Sequence, residues 1–76
     1  MSKTLPPELT SYLGTLVEVN LNANRTVQGR LTGFDHFMNL TLENCVEVSK
    51  DKLIAMGITV VRGNSIVSLE QVPSST

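Results

Sequence analysis

The sequence predicts an all-β domain, in which a short N-terminal helix precedes a strongly bent, five-stranded antiparallel sheet that forms a small open barrel. Apolar and polar residues alternate along most of the 76-residue chain, as they do in half-buried strands. Two glycines fall inside one of these strands, where a sheet bends or another backbone comes close. The length allows one domain, which we place at residues 1–72, and we expect the polar tail at residues 73–76 to be disordered.

The predicted helix covers the segment at residues 6–14. Gly14 suits its left-handed exit, and Leu9, Tyr12 and Leu13 are spaced to share one face. A helix this short is not stable alone in water. We therefore expect that face to pack against the sheet.

Two strands are predicted next. Val17, Val19 and Leu21 mark the inner face of the first, which ends at a turn at residues 22–24, where asparagine tolerates positive φ. The inner face of the second strand comprises Val27, Gly29, Leu31 and Gly33. Glycines at two of these positions predict a strong bend.

The third strand resumes at Leu40 and extends to Val48. We interpret residues 49–57 as a loop, because they show no strict period. Two last strands, at residues 58–61 and 65–70, are apolar on successive residues. This pattern indicates that both of their faces are covered, and a neighbouring subunit is the available cover.

Composition excludes several classes of protein. One cysteine and one histidine permit neither an internal disulfide nor a zinc site built from these ligands. We therefore predict no metal and no cofactor, and expect association with other chains to support so small a domain. The net charge of −1 argues against nucleic-acid binding by bulk phosphate neutralisation. No apolar run is long enough to span a membrane.

Two polar clusters interrupt the alternation, at residues 35–39 and 62–64. Phe37, Asn39 and Arg62 together supply a ring, an amide and a planar cation, which is the set that holds one unstacked base. Gly63 would let a backbone come near. If the strands bring both clusters to one rim, they form a site for single-stranded nucleic acid.

The residues that form these clusters also carry a family resemblance. The pattern G-x-L-x-G-F-D-x-F-M-N-L-x-L at residues 29–42 resembles the first motif of the Sm and Sm-like family, and V-R-G-N-S-I-V at residues 61–67 is similar to its second. The resemblance covers nearly the whole chain. It implies the Sm fold, in which subunits join fourth strand to fifth strand into a seven-membered ring.

The resemblance also implies a function. Uridine-rich single-stranded RNA, rather than DNA, passes through the ring of spliceosomal small nuclear ribonucleoproteins, which are nuclear after assembly in the cytoplasm and act in pre-mRNA splicing. Carried over by residue, Phe37 is the stacking platform, Asn39 contacts the base edge and Arg62 lies on the base's other side. Gly63 lies in the same loop, and Asp35 orients Asn39.

Other interpretations remain open. Without a nucleophile-and-base constellation, an enzyme is disfavoured. The chain is alternatively a subunit of a Sm-like ring in RNA decay, a homo-oligomeric RNA chaperone, or a structural ring subunit whose pore residues contact protein. We assign Met38 and Cys45 to the core and His36 to a solvated loop.

Overall fold

The computed structural model describes residues 9–72, which form one continuous sheet with two short helical turns. The elements are η1 (Leu9–Tyr12), β1 (Leu16–Leu21), β2 (Arg25–Phe34), β3 (Leu40–Val48), β4 (Leu53–Val61), η2 (Gly63–Ser65) and β5 (Ile66–Gln71). All pairings are antiparallel. The strand order is β4-β3-β2-β1-β5, which confirms the predicted all-β class and leaves β4 and β5 at the edges.

The sheet bends where its register shifts. The pairing of β2 with β3 shifts around Gly29 and again before Gly33. A methyl group added to Gly29 would lie 3.0 Å from Cβ of Leu42, so the close approach predicted for this glycine is confirmed. Gly33 has open space around it, and only its place beside a bulge fits the prediction.

The core lies inside the curved sheet. Most of the predicted inner residues of β1 and β2 are buried, whereas Leu21 and Gly33 are half-buried. Residues of η1, β3, β4 and β5 complete the cluster. Its members are Leu9, Val17, Val19, Val27, Leu31, Leu40, Leu42, Cys45, Val61, Ile66 and Leu69. Met38 is partly buried and packs against this cluster, as predicted.

The helix is shorter than its predicted extent. It is a single 3-10 turn, Leu9–Tyr12, and residues 6–8 lie outside the described part of the chain. Leu9 is buried and Tyr12 half-buried, but Leu13 is exposed. The predicted place of Leu13 on the packed face is wrong because a 3-10 helix repeats every three residues. Gly14 has φ +81°, as expected of a left-handed exit.

The turn between β1 and β2 was predicted from its asparagines. Ala23 and Asn24 have φ of 63° and 58°. Leu21 pairs with Arg25, so the hairpin loop has three residues, a length that is common after the two-residue turns. The turn is confirmed at residues 22–24.

The loop predicted at residues 49–57 is wrong from Leu53 onward. Only a tight turn precedes β4, with Ser49 N–H donating to Lys52 C=O at 2.9 Å, and Leu53 then pairs with Val48. The alternation was absent because β4 is an edge strand that stays exposed over most of its length. Gly57, at φ +69°, interrupts it further.

The last two strands have one buried and one exposed apolar face. Val61 and Ile66 are buried, whereas Val60 and Val67 are 64% and 52% exposed. One chain therefore leaves this second face uncovered, and its cover by a neighbouring subunit stays a prediction. The tail at residues 73–76 lies outside the described residues.

Candidate nucleic-acid interface

The two polar clusters meet at one end of the sheet. Leu40 at the start of β3 pairs with Val61 at the end of β4, so the loop at residues 35–39 lies beside η2. Gly63 N–H donates to Oδ1 of Asn39 at 2.9 Å. This hydrogen bond joins residues that belong to separate sequence motifs and confirms that they share a rim.

The carboxylate of Asp35 organises the first loop. Its Oδ1 accepts hydrogen bonds from the backbone N–H of Phe37 at 2.9 Å and of Asn39 at 3.0 Å. Its Oδ2 accepts from Nδ2 of Asn39 at 3.0 Å. The backbone N–H of Asn39, followed by its side-chain amide, lowers the pKa of Asp35, because these bonds favour the charged form. Asp35 is placed to orient this loop.

These contacts fix the direction of the Asn39 amide. Asp35 offers only acceptors and the Gly63 N–H is only a donor, so Nδ2 faces Asp35 and Oδ1 faces Gly63. One amide hydrogen and one lone pair of Oδ1 remain for a ligand. Such a donor and acceptor side by side match the edge of a pyrimidine.

Gly63 is in the closest contact of the rim. A methyl group built on its Cα would overlap the Phe37 carbonyl oxygen and lie 3.1 Å from Cβ of Met38. Met38 itself has φ 63°, a conformation in which it turns toward the core while its neighbours stay outside. Gly63 is therefore required for the two loops to approach each other.

An open cavity of about 430 Å³ lies on this rim, lined by Phe37, Asn39, Val60, Arg62 and Asn64. The Phe37 side chain is 80% exposed, and Arg62 is also exposed. An exposed ring, a positioned amide and a guanidinium around one cavity can stack on a base and hydrogen-bond its edge. Gly63 lies behind the cavity and supports Asn39 without lining it.

Sequence reasoning did not select two of these lining residues. Asn64 belongs to a predicted polar cluster, but nothing in the sequence indicates which way its side chain faces. Val60 lies in a predicted strand, and only the exposure of β4 distinguishes it from a core valine. Both depend on the sheet geometry, which gives no local sequence signal.

His36 and Cys45 lie where the sequence predicts them. His36 is exposed. Cys45 is buried, and burial raises the pKa of its thiol. Within residues 9–72, no three His, Cys, Asp or Glu side chains come together as a metal site would require. No helix in that part of the chain has the length and apolar character needed to cross a bilayer.

Comparison with known proteins identifies the class to which this fold and rim belong. Residues 7–71 match the family described as "LSM domain". The chain belongs to this family, which comprises the Sm and Sm-like proteins.

Within this family, the chain is similar to proteins named small nuclear ribonucleoprotein G. The chain is 49% identical over 71 residues to the probable small nuclear ribonucleoprotein G of Caenorhabditis elegans, which covers 92% of each sequence.

Solved structures share the fold. A heptameric archaeal Sm protein superposes with a TM-score of 0.84 at 31% identity, covering 90% of this chain and all (100%) of that one. The SmAP1 heptamer of P. aerophilum gives a TM-score of 0.83 at 32% identity, with 87% and 89% covered. The predicted Sm fold is confirmed.

Proposed function

We propose that the chain is an RNA-binding subunit of a seven-membered Sm ring that encircles uridine-rich single-stranded RNA in a spliceosomal small nuclear ribonucleoprotein. Relatives that match nearly the full chain are named small nuclear ribonucleoprotein G, which supports membership in such a particle. The heptameric state of structures at 31–32% identity supports the ring. Neighbouring subunits and small nuclear RNA are then its partners, and pre-mRNA splicing is its process.

The edges of the sheet support the assembly. β4 and β5 each have one side without a strand partner among the described residues, and open edges pair readily with other strands. Large apolar side chains are exposed along β4, including Leu53, Ile58 and Val60. A neighbour's β5 added to β4 would cover both the backbone edge and this apolar strip.

The rim cavity is the observation that carries the RNA role. We assign stacking to Phe37, base-edge hydrogen bonds to Asn39, and a second contact with the base to Arg62. Gly63 and Asp35 hold Asn39. The cavity is large enough for one pyrimidine. Among the residues that the structure describes, Arg62 is the only charged one in its lining. Selection by stacking and edge contacts suits a chain whose net charge is −1.

The role is binding rather than catalysis. The rim holds no pair of titratable side chains arranged as nucleophile and base among the described residues, and its carboxylate is occupied by three hydrogen bonds. We place the mature particle in the nucleus, with assembly in the cytoplasm. A subunit of a Sm-like ring is the second candidate. It is favoured by a match at 37% identity over 59 residues to the protein of Phaeosphaeria nodorum named U6 snRNA-associated Sm-like protein LSm6.

Purification through a tag on this chain tests the proposal. We expect six other Sm proteins and small nuclear RNA with a uridine-rich single-stranded site. Recovery of Sm-like subunits with messenger RNA fragments would instead support the decay ring. A monomer with no bound RNA would contradict both.

A further inference from the structure

A second open cavity, of about 490 Å³, lies between the β1–β2 turn and the start of β5. It shares no lining residue with the rim cavity. Its size falls in the range of small-ligand sites, roughly 300–1,000 Å³. Amide and hydroxyl groups make up most of its polar lining.

The floor of this cavity is already ordered. Nδ2 of Asn20 donates to Oγ of Ser68 at 2.8 Å, and Oγ1 of Thr26 donates to Oδ1 of Asn20 at 3.1 Å. Arg25 also lines the cavity, but Nε and Nη2 donate to the two carboxylate oxygens of Glu47, each at 2.9 Å. The cavity therefore has a hydrogen-bonded polar floor, and its lining includes no unpaired cation among the described residues.

The turn above the floor supplies groups that are available to a ligand. Asn22 and Asn24 are exposed, and their side-chain amides have no hydrogen-bond partner within residues 9–72. Each amide offers two donors and an acceptor. Asparagine side chains are common partners of the phosphate and sugar of a nucleic-acid backbone, and they need no charge for these contacts.

The two cavities adjoin the same short turn. Asn64 of η2 lines the rim cavity, and the next residue, Ser65, accepts a hydrogen bond at its C=O from Asn22 N–H at 2.9 Å. This bond connects the β1–β2 turn directly to η2. The turn that lines the second cavity therefore lies against the η2 turn that supplies Asn64 to the rim cavity.

We propose that the second cavity binds the sugar–phosphate backbone of the RNA nucleotide next to the one in the rim cavity, through the amides of Asn22 and Asn24. This inference rests on the proposed RNA-binding function and extends it. The contacts are uncharged, so they add affinity with little dependence on salt. They also carry no base preference, which remains with Asn39 and Phe37.

The test uses the complex purified through a tag on this chain and a labelled oligouridine. The variant Asn22→Ala with Asn24→Gly removes both amides, and glycine tolerates the positive φ at position 24. Ala23→Gly is the matched control, since it changes the same turn and removes no amide. Binding is measured at two salt concentrations, with oligocytidine as competitor.

We expect the double variant to bind oligouridine roughly tenfold more weakly, as for two lost hydrogen bonds, with an unchanged salt slope and uridine preference. Ala23→Gly should bind like the wild type. Equal affinity of the double variant and the control would overturn the inference, as would loss of uridine preference in the double variant. Failure of the double variant to enter the complex would indicate that the cavity contacts protein. A wild-type complex that binds no oligouridine would instead refute the proposed function itself.

Discussion

Replacing Gly63 with alanine tests whether the approach of the two loops controls RNA binding. The added methyl group would overlap the Phe37 carbonyl oxygen and press on Met38. Overpacking of this kind costs about 1–3 kcal/mol, and loss of the bond to Asn39 costs about 0.5–1.5 kcal/mol. The sum is about 1.5–4.5 kcal/mol. A domain of 76 residues has a stability of about 4–11 kcal/mol in total. The variant should therefore lose a large share of its stability, and it should still fold over most of this range.

Gly33→Ala is the matched control for this experiment. It lies one residue before Phe34, at the end of β2, and nothing lies within 4 Å of an added methyl group. We expect its stability to equal or slightly exceed that of the wild type, because alanine restricts the unfolded chain. Both variants are compared by thermal unfolding at one protein concentration and by binding to oligouridine well below the melting temperature. Equal behaviour of the two variants in both measurements would refute the role assigned to Gly63.

Four further predictions concern single side chains. Phe37→Ala should remove about 1–3 kcal/mol of base stacking and so reduce crosslinking of this subunit to uridine-rich RNA, while the ring still assembles. Unchanged crosslinking would show that Phe37 does not contact the base. Arg62→Lys should retain RNA as poorly as Arg62→Ala, because lysine lacks the planar fork, with a similar salt slope in titrations; full retention would show that charge suffices. Hydrogen bonds from Asn39 lower the pKa of Asp35 below its usual 3.8. The Asp35 carboxylate therefore stabilises the fold at pH values above 3.8, and this stabilisation is lost as the pH falls through the lowered pKa. Asp35→Asn should therefore be less stable than the wild type at neutral pH, and acid titrations of unfolding should show the difference shrink only below about pH 4. Ile58→Asp, on the exposed face of β4, should prevent assembly without unfolding the chain, as light scattering and circular dichroism together would reveal.

Much of the site could be predicted because its chemistry is concentrated in two short motifs. The sequence places Phe37 beside Asn39, and Arg62 beside Gly63, so a stacking ring, an amide and a cation were recognisable before their geometry was known. The bond from Gly63 to Asn39 could not be predicted, because it depends on how β3 and β4 pair. The same applies to the side-chain direction of Asn64.

The burial pattern of β1 and β2 could be predicted from the sequence, whereas the buried face of the helix could not. The strands β1 and β2 bury alternate residues against the chain's own core, so their period is visible in the sequence. The prediction for Leu13 was wrong because it used the α-helical period of about 3.6 residues per turn. A 3-10 helix has about 3.0 residues per turn, which places Leu9 and Tyr12 on one face and Leu13 off it.

The error at β4 follows from the physics that the proposed assembly requires. A strand acquires a period of two when one of its faces meets a core and the other meets water. Within this chain, residues 53–58 of β4 meet water on both faces, yet they include Leu53, Ile54, Met56 and Ile58. So many large apolar side chains on an open edge are a liability in a monomer. They have a clear use if a second subunit covers them. In the proposed ring, another chain buries these side chains, so the chain's own core imposes no alternation on this segment. The missing alternation, which made the segment resemble a loop, is therefore what an interface strand is expected to show.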